Sequence, residues 1–204
     1  MKSTLATLDP KQQLKMIFDA PAPETIVQAL SAVELYAIID AVGLESSFEV
    51  FQLATPEQAR VILDLDLWDE WSISVEKTVR WLDQILTADS NYALRLLAQL
   101  DQELLMILLK KSLTVGGGLS DIIYSEDFNG DWDHTFDEIF FLQFVDSENC
   151  ELILKMLELL YHENHRLYRS LMLGAENELL TELEDTAYQF RMARLEDEGI
   201  CDAH

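Results

Sequence analysis

The chain has 204 residues, enough for one large domain or two small ones, and its 49% apolar content is enough for a continuous core. Its 38 acids against 14 Lys and Arg give a formal net charge of −24. Such a surface repels phosphate backbones and anionic lipid, which argues against nucleic acid and membranes as partners and leaves basic proteins or metal cations.

Cys150 and Cys201 are isolated, which fits a reducing cytoplasm better than a disulfide-stapled secreted fold. No apolar run suited to export follows Met1-Lys2, and the longest apolar clusters, such as 104-LLMILL-109, are far short of a membrane span. The expected location is the cytosol.

The spacing of apolar residues predicts helices over 9–18, 31–42, 45–53, 56–65, 74–87, 90–99 and 101–113. Asp9-Pro10-Lys11-Gln12 and Thr55-Pro56-Glu57-Gln58 are matching helix starts: an N-cap oxygen, a proline at the first helical position, and a Gln three residues after the cap. They lie 46 residues apart, and another 46 leads to Asp101-Gln102-Glu103. At the same offset Leu35 falls on Trp81, Ile39 on Ile85, Phe48 on Leu94, Phe51 on Leu97, Val61 on Ile107 and Leu63 on Leu109. That period suits the units of helical solenoids, about 40 to 47 residues. The bland alternative is that amphipathic helices superpose at some offset by chance. Ser31 and Glu34 form another capping box, Pro21 and Pro23 mark a short linker, and Gly43 suits a helix end.

Gly116-Gly117-Gly118 breaks the helical pattern and reads as a flexible hinge; no Lys-Ser or Lys-Thr follows, as a phosphate loop requires. Between Lys111 and Lys155 no Lys or Arg occurs, while ten acids accumulate. Laid on the twelve-position calcium loop, Asp127, Asn129, Asp131, Asp133 and Glu138 take positions 1, 3, 5, 7 and 12. Against calcium, Trp132 replaces the turn glycine, His134 stands at position 8, and no second loop exists to pair with. An exposed acidic connection is the first reading; a calcium site is the alternative. The stretch 136-FDEIFFLQFV-145 is aromatic and β-branched enough for a short extended segment.

Helical spacing then returns. Ile153, Met156, Leu157, Leu160, Leu167 and Leu171 trace one face of a long helix starting near Ser147, and a last helix runs from about Ala175 to Glu198 with Gly199 as its stop. The expected organisation is a helical-repeat region over 1–113, a Gly-rich hinge, acidic loop and short extended segment over 114–146, and a C-terminal helical pair over 147–204, packed with the first region as one domain. The fold class is mostly all-α, superhelical or solenoid-like.

Glu158, His162, His165 and Arg169 fall on one helical face, but 162-HENH-165 is neither the H-E-x-x-H of zinc proteases nor the E-x-x-H of di-iron bundles, so a polar helix face is preferred over a metal site. In 63-LDLDLWDEW-71, Asp64 and Asp66 alternate with apolar residues and are expected to point outward. No G-x-S-x-G elbow and no cysteine in a His-rich setting suggests nucleophilic catalysis.

The segment 187-AYQFRMARLEDEG-199, with Glu184 before it, resembles the A-Y-x-x-R-x-x-R-L-x-x-x-G signature of an uncharacterised bacterial family, a domain of unknown function. The segments 53-LATPEQARVILDLDLW-68 and 133-DHTFDEIFFLQF-144 are similar to the same family, so the likeness covers roughly residues 30 to 200. It implies a mostly helical fold and supplies no activity. Relatives are expected to continue beyond His204, which would make this chain a short member or a fragment. The helical half resembles more loosely the superhelical cytosolic domain of bacterial magnesium transporters, a likeness of repeat style that carries no metal residues over. Within the signature, Arg191 and Arg194 lie three apart on one helix face, with Tyr188 one turn earlier. A structural clamp on acids of a neighbouring helix is preferred over a ligand-binding role.

The functional expectation is a non-enzymatic protein-protein interaction scaffold, without cofactor, whose partner carries a basic surface. A calcium- or metal-responsive module using 127–138 is the first alternative, and an enzyme using carboxylates and the C-terminal histidines the second.

Overall fold

A computed structural model describes residues 8–118 and 131–200, and within them the helical signals become eleven helices and five short strands. The chain divides into two compact units, one of residues 1–70 and 190–204, the other of residues 71–189. Both boundaries expected from the sequence, after 113 and after 146, fall inside the second unit.

The first unit begins with α1 (Pro10–Phe18), α2 (Pro23–Ala29), α3 (Ala32–Val42), α4 (Leu44–Phe51) and α5 (Pro56–Asp66). Its helix starts are those legible in the sequence. Asp9 accepts from the backbone N–H of Lys11 and Gln12, and both Ser31–Glu34 and Thr55–Gln58 close complete capping boxes. The amide of Gln58 does more: its Oε1 accepts from Thr55 N at 2.8 Å, while its Nε2 donates to Val27 O at 3.0 Å and Leu30 O at 2.9 Å. One side chain thus caps α5 and serves carbonyls at the end of α2, donating to Leu30 O and joining Leu30 N, at 3.1 Å, on Val27 O. Ile17, Val27, Leu35, Val50, Phe51 and Ile62 are fully or almost fully buried and form its interior.

The second unit holds α6 (Val75–Thr87), α7 (Ser90–Leu97), α8 (Gln102–Ser112), strands β3 (Leu113–Gly117), β4 (His134–Thr135) and β5 (Phe140–Phe144), then α9 (Cys150–Glu163) and α10 (His165–Asn177). Two two-residue strands, β1 (Trp68–Asp69) and β2 (Ser72–Ile73), flank the passage from one unit to the other. The last helix, α11 (Leu180–Asp197), gives its residues up to Gln189 to the second unit and the rest to the first. The larger sheet has the order β3-β5-β4, with all pairs antiparallel and Leu113 opposite Phe144 through Gly117 opposite Phe140. Two lysines ending α8 are drawn into this unit: Lys110 Nζ donates to Ala175 O at 2.7 Å, and Lys111 Nζ donates to Ile73 O at 3.0 Å and pairs with Glu184 at 2.8 Å.

Three expectations need correction. The glycine run is no hinge over Gly116 and Gly117, which belong to β3. A Cβ on Gly116 would collide with the indole of Trp132, and Gly117, at φ +102°, would bring one onto the carbonyl of Ile139. Glycine is there for close approach and positive φ within a sheet, which a breaker rule reads as looseness. The short linker at Pro21 is present over 19–22, but Pro23 opens a helix, α2, that was not expected, because it occupies a first-turn position where its missing N–H costs nothing. The long helix from Ser147 is two helices, α9 and α10. Asn164, at φ −144° and ψ 64°, leaves helical space, and its Oδ1 caps α10 by accepting from Leu167 N at 3.2 Å. Its apolar stripe runs on regardless, with Ile153, Met156, Leu157, Leu160 and Leu171 at zero exposure and Leu167 buried, so periodicity reported a shared buried face rather than an unbroken axis. The C-terminal region accordingly holds three helices where two were expected.

Candidate functional site

Of the acidic-loop residues, Asp127 and Asn129 lie outside the described residues; Asp131, Asp133 and Glu138 are exposed. Asp133 serves the sheet: its Oδ2 accepts from Phe144 N at 2.8 Å, and its own N–H donates to Leu142 O at 2.8 Å, extending the β4–β5 edge. Glu138 sits at φ +57° in a turn held by Thr135 and Asp137, with Asp137 Oδ1 accepting from the N–H of Ile139 and Phe140 at 3.0 and 2.9 Å. Among the described residues, no group of three or more His, Cys, Asp or Glu side chains is placed to hold a metal ion.

Arg191 and Arg194 converge on Asp64 in the first unit. Arg194 grips the carboxylate by two points, Nε to Oδ2 at 2.5 Å and Nη2 to Oδ1 at 3.0 Å, and Arg191 Nε donates to the Asp64 carbonyl at 3.0 Å. The Arg191 guanidinium also lies over the Trp68 ring, 5.3 Å from its centroid. Asp64 is therefore not outward: it is 6% exposed, and Arg191 only 7%. Alternation with apolar residues implies a strand-like two-residue period, whereas α5 turns Asp64 onto the face that carries Val61. Asp66 is half-buried and accepts from the Tyr36 hydroxyl at 3.2 Å; burial first, then the nearby Asp66 and Asp40, raise the Tyr36 pKa well above the ordinary phenol range. The segment is closed by Gly199 at φ +79°, with Ile200 N donating to Leu195 O at 2.8 Å and Ile200 packing beside Leu195, a Schellman stop.

The expected histidine face is divided by the break at Asn164. The rings of His162 and His165 both meet the edge of Tyr161, and His165 stacks on Tyr168. Phe136 joins the same cluster against His134, Tyr161 and Tyr168. Tyr168 is fully buried; its hydroxyl makes no hydrogen bond of good geometry, and burial, then the charge of Asp137 beside it, push its pKa upward. This is an aromatic seam between the sheet and two helices.

The surface feature that motif searching misses is a furrow of the second unit between the outer faces of α6 and α9, about 1040 Å³ in volume. Glu76 and Asp83 line it from α6, Asp146, Glu148 and Glu151 from the approach and first turn of α9, and Val75, Val79 and Leu152 supply apolar floor. Arg80 and Lys155 are its two cations. Lys155 also opens a smaller adjoining cleft of about 310 Å³, where Glu158, His162 and Glu163 face Ser90. Five exposed carboxylates over an apolar floor favour an elongated cationic ligand. The signal was present as helical stripes, Glu76-Arg80-Asp83 and Glu151-Lys155-Glu158-His162, each on one face, but nothing in one dimension says that the two stripes meet.

Among the described residues, no single helix is long and apolar enough to cross a membrane; one neighbouring pair, Pro23–Ala29 and Ala32–Val42, is apolar enough in combination but bent by 114°. No curated protein and no solved structure matches the chain. A family does: over residues 1–204 the chain belongs to the family of unknown function DUF6178, in keeping with the uncharacterised family expected from the sequence.

Proposed function

We propose that this member of DUF6178 is a non-enzymatic, cytosolic protein-binding protein whose α6–α9 furrow takes a Lys- or Arg-rich segment of another protein. The observation behind it is the furrow itself: five carboxylates to two cations along an apolar floor of Val75, Val79 and Leu152. Exposed ion pairs contribute about 0.2–1 kcal/mol each, so affinity must combine several of them with the apolar floor, and it falls with salt. The helix starts repeated at 46-residue intervals support the companion proposal that the first half is built from repeated helical units.

Titration with a Lys-rich amphipathic peptide tests the reading. Binding is expected to weaken at least about tenfold when Glu148 and Glu151 are replaced by Lys, a loss of about 1.4 kcal/mol. The same charge change at Glu196 and Glu198, outside the furrow lining, controls for bulk attraction and is expected to cost less than about threefold. Equal losses from the two double variants would overturn the proposal.

A further inference from the structure

Two arginines of the second unit lie on one exposed face of α10. Arg166 and Arg169, in the first turns of α10, are exposed, and no carboxylate lies within ion-pair distance of either among the described residues. In a chain with 38 acids and 14 bases, cations are scarce, and others have carboxylates at hand: Arg60 pairs with Glu57, Lys111 with Glu184, Arg194 with Asp64. Leu173, 46% exposed, follows Arg166 by seven residues and Arg169 by four, so the three share one outward stripe of α10. Arg166 to Leu173 spans a rise of about 10 Å, the same as Glu76 to Asp83 along the lip of the furrow. None of the three lines the furrow, so stripe and furrow are separate surfaces of one unit.

We propose that copies of this chain associate head to tail, the Arg166–Arg169–Leu173 stripe of one copy seated in the α6–α9 furrow of the next. The guanidinium groups reach the carboxylates of Glu148, Glu151, Glu76 and Asp83, and Leu173 meets the floor of Val75, Val79 and Leu152. Guanidinium suits such a contact because its planar fork matches carboxylates by two points. A net charge of −24 opposes association at long range, but at physiological salt the screening length is about 8 Å, so the local complementarity decides. Because the two surfaces differ, the contact is heterologous and extends into rings or chains. The inference rests on the furrow's taking cations, as proposed above, and adds that a second copy is an occupant.

Sedimentation equilibrium tests it with two surface variants, Arg166→Glu/Arg169→Glu and Glu148→Lys/Glu151→Lys. The wild type is expected to exceed the 23.4 kDa monomer mass at least about twofold in about 0.05 M salt and to return to it in about 0.5 M. Each variant alone is expected to be monomeric, whereas a mixture of the two re-forms assemblies of at least a 1:1 dimer, since the intact stripe of one fits the intact furrow of the other. If either variant loses its helical circular dichroism, the neutral pairs Arg166→Gln/Arg169→Gln and Glu148→Gln/Glu151→Gln replace it. A wild type that stays monomeric at low salt, or a mixture that does, overturns head-to-tail association. Binding of the Lys-rich peptide to Arg166→Glu/Arg169→Glu separates the two failures: retained binding leaves the furrow reading standing, and lost binding removes both.

Discussion

Arg194 and Asp64 face each other fork to fork, 130 positions apart in sequence, with the carboxylate almost wholly enclosed. Removing one partner of a buried pair leaves an uncompensated charge, worth about 3 kcal/mol or more. Arg194→Ala and Asp64→Ala are each expected to lower unfolding stability in urea by about that much, and the double variant by clearly less than the sum. Arg194→Lys keeps the charge but loses the second bond, so it should fall between. Effects below about 0.5 kcal/mol would show the clasp to be ornamental.

Gln58 poses a sharper chemical question, since it accepts at one end and donates twice at the other. Gln58→Ala takes the amide donor from Leu30 O, one of two donors from Val27 O and the acceptor from Thr55 N, for an expected loss of about 2 kcal/mol. Gln58→Glu keeps the acceptor but sets a carboxylate against the carbonyls of Val27 and Leu30. It is expected to be worse than Ala at neutral pH and to recover as the pH falls and the side chain protonates. Chemical denaturation of both variants at two pH values decides; a Glu variant as stable as wild type contradicts the assigned amide orientation.

The glycines divide by what they face. Gly117 approaches a backbone carbonyl at positive φ, whereas Gly174 abuts the flexible end of Met106. Gly117→Ala is therefore expected to cost about 2–3 kcal/mol, and Gly174→Ala about half that, because the thioether can swing aside. Thermal unfolding of the two variants should preserve this order; the reverse order would mean that β3 yields more readily than the α8–α10 contact.

Three tyrosines carry a pH signature. Burial is the leading cause that raises the pKa of Tyr36, Tyr92 and Tyr168 above the ordinary phenol value. A phenol whose folded pKa is raised favours the folded state fully below the unfolded value, about pH 10, and loses that contribution as the pH climbs through the folded value. Phenolate absorbance is expected to show these three ionising only with alkaline unfolding. Tyr168→Phe should reduce the steepness of that unfolding, and an unchanged profile would remove Tyr168 from it.

What the sequence made legible were features with local causes. Capping boxes at Ser31 and Thr55, the proline-led starts at Pro10 and Pro56, and the stop at Gly199 depend on neighbours within five residues, and each stands where the sequence puts it. The failures were tertiary. Gly116 looked like a hinge because Trp132 is invisible from its own neighbourhood, and Asp64 looked solvated because Arg194 is far along the chain. Asn164 lay between: its capping oxygen was in plain view within 162-HENH-165, but the continuous apolar stripe on either side outweighed it. The furrow needed two stripes to be brought side by side, which only packing of α6 on α9 accomplishes.

The division of α11 bears on the order in which the protein is made. Residues 71–189 are contiguous, so the second unit is complete once they have left the ribosome. The first unit, although its helices emerge earliest, lacks Arg191, Arg194 and Leu195 until residues beyond 190 follow, and until then Asp64 has no guanidinium to receive it. Domains usually mature in the order of synthesis. Here the unit that is translated first is expected to finish last, held open by a segment from the opposite end of the chain.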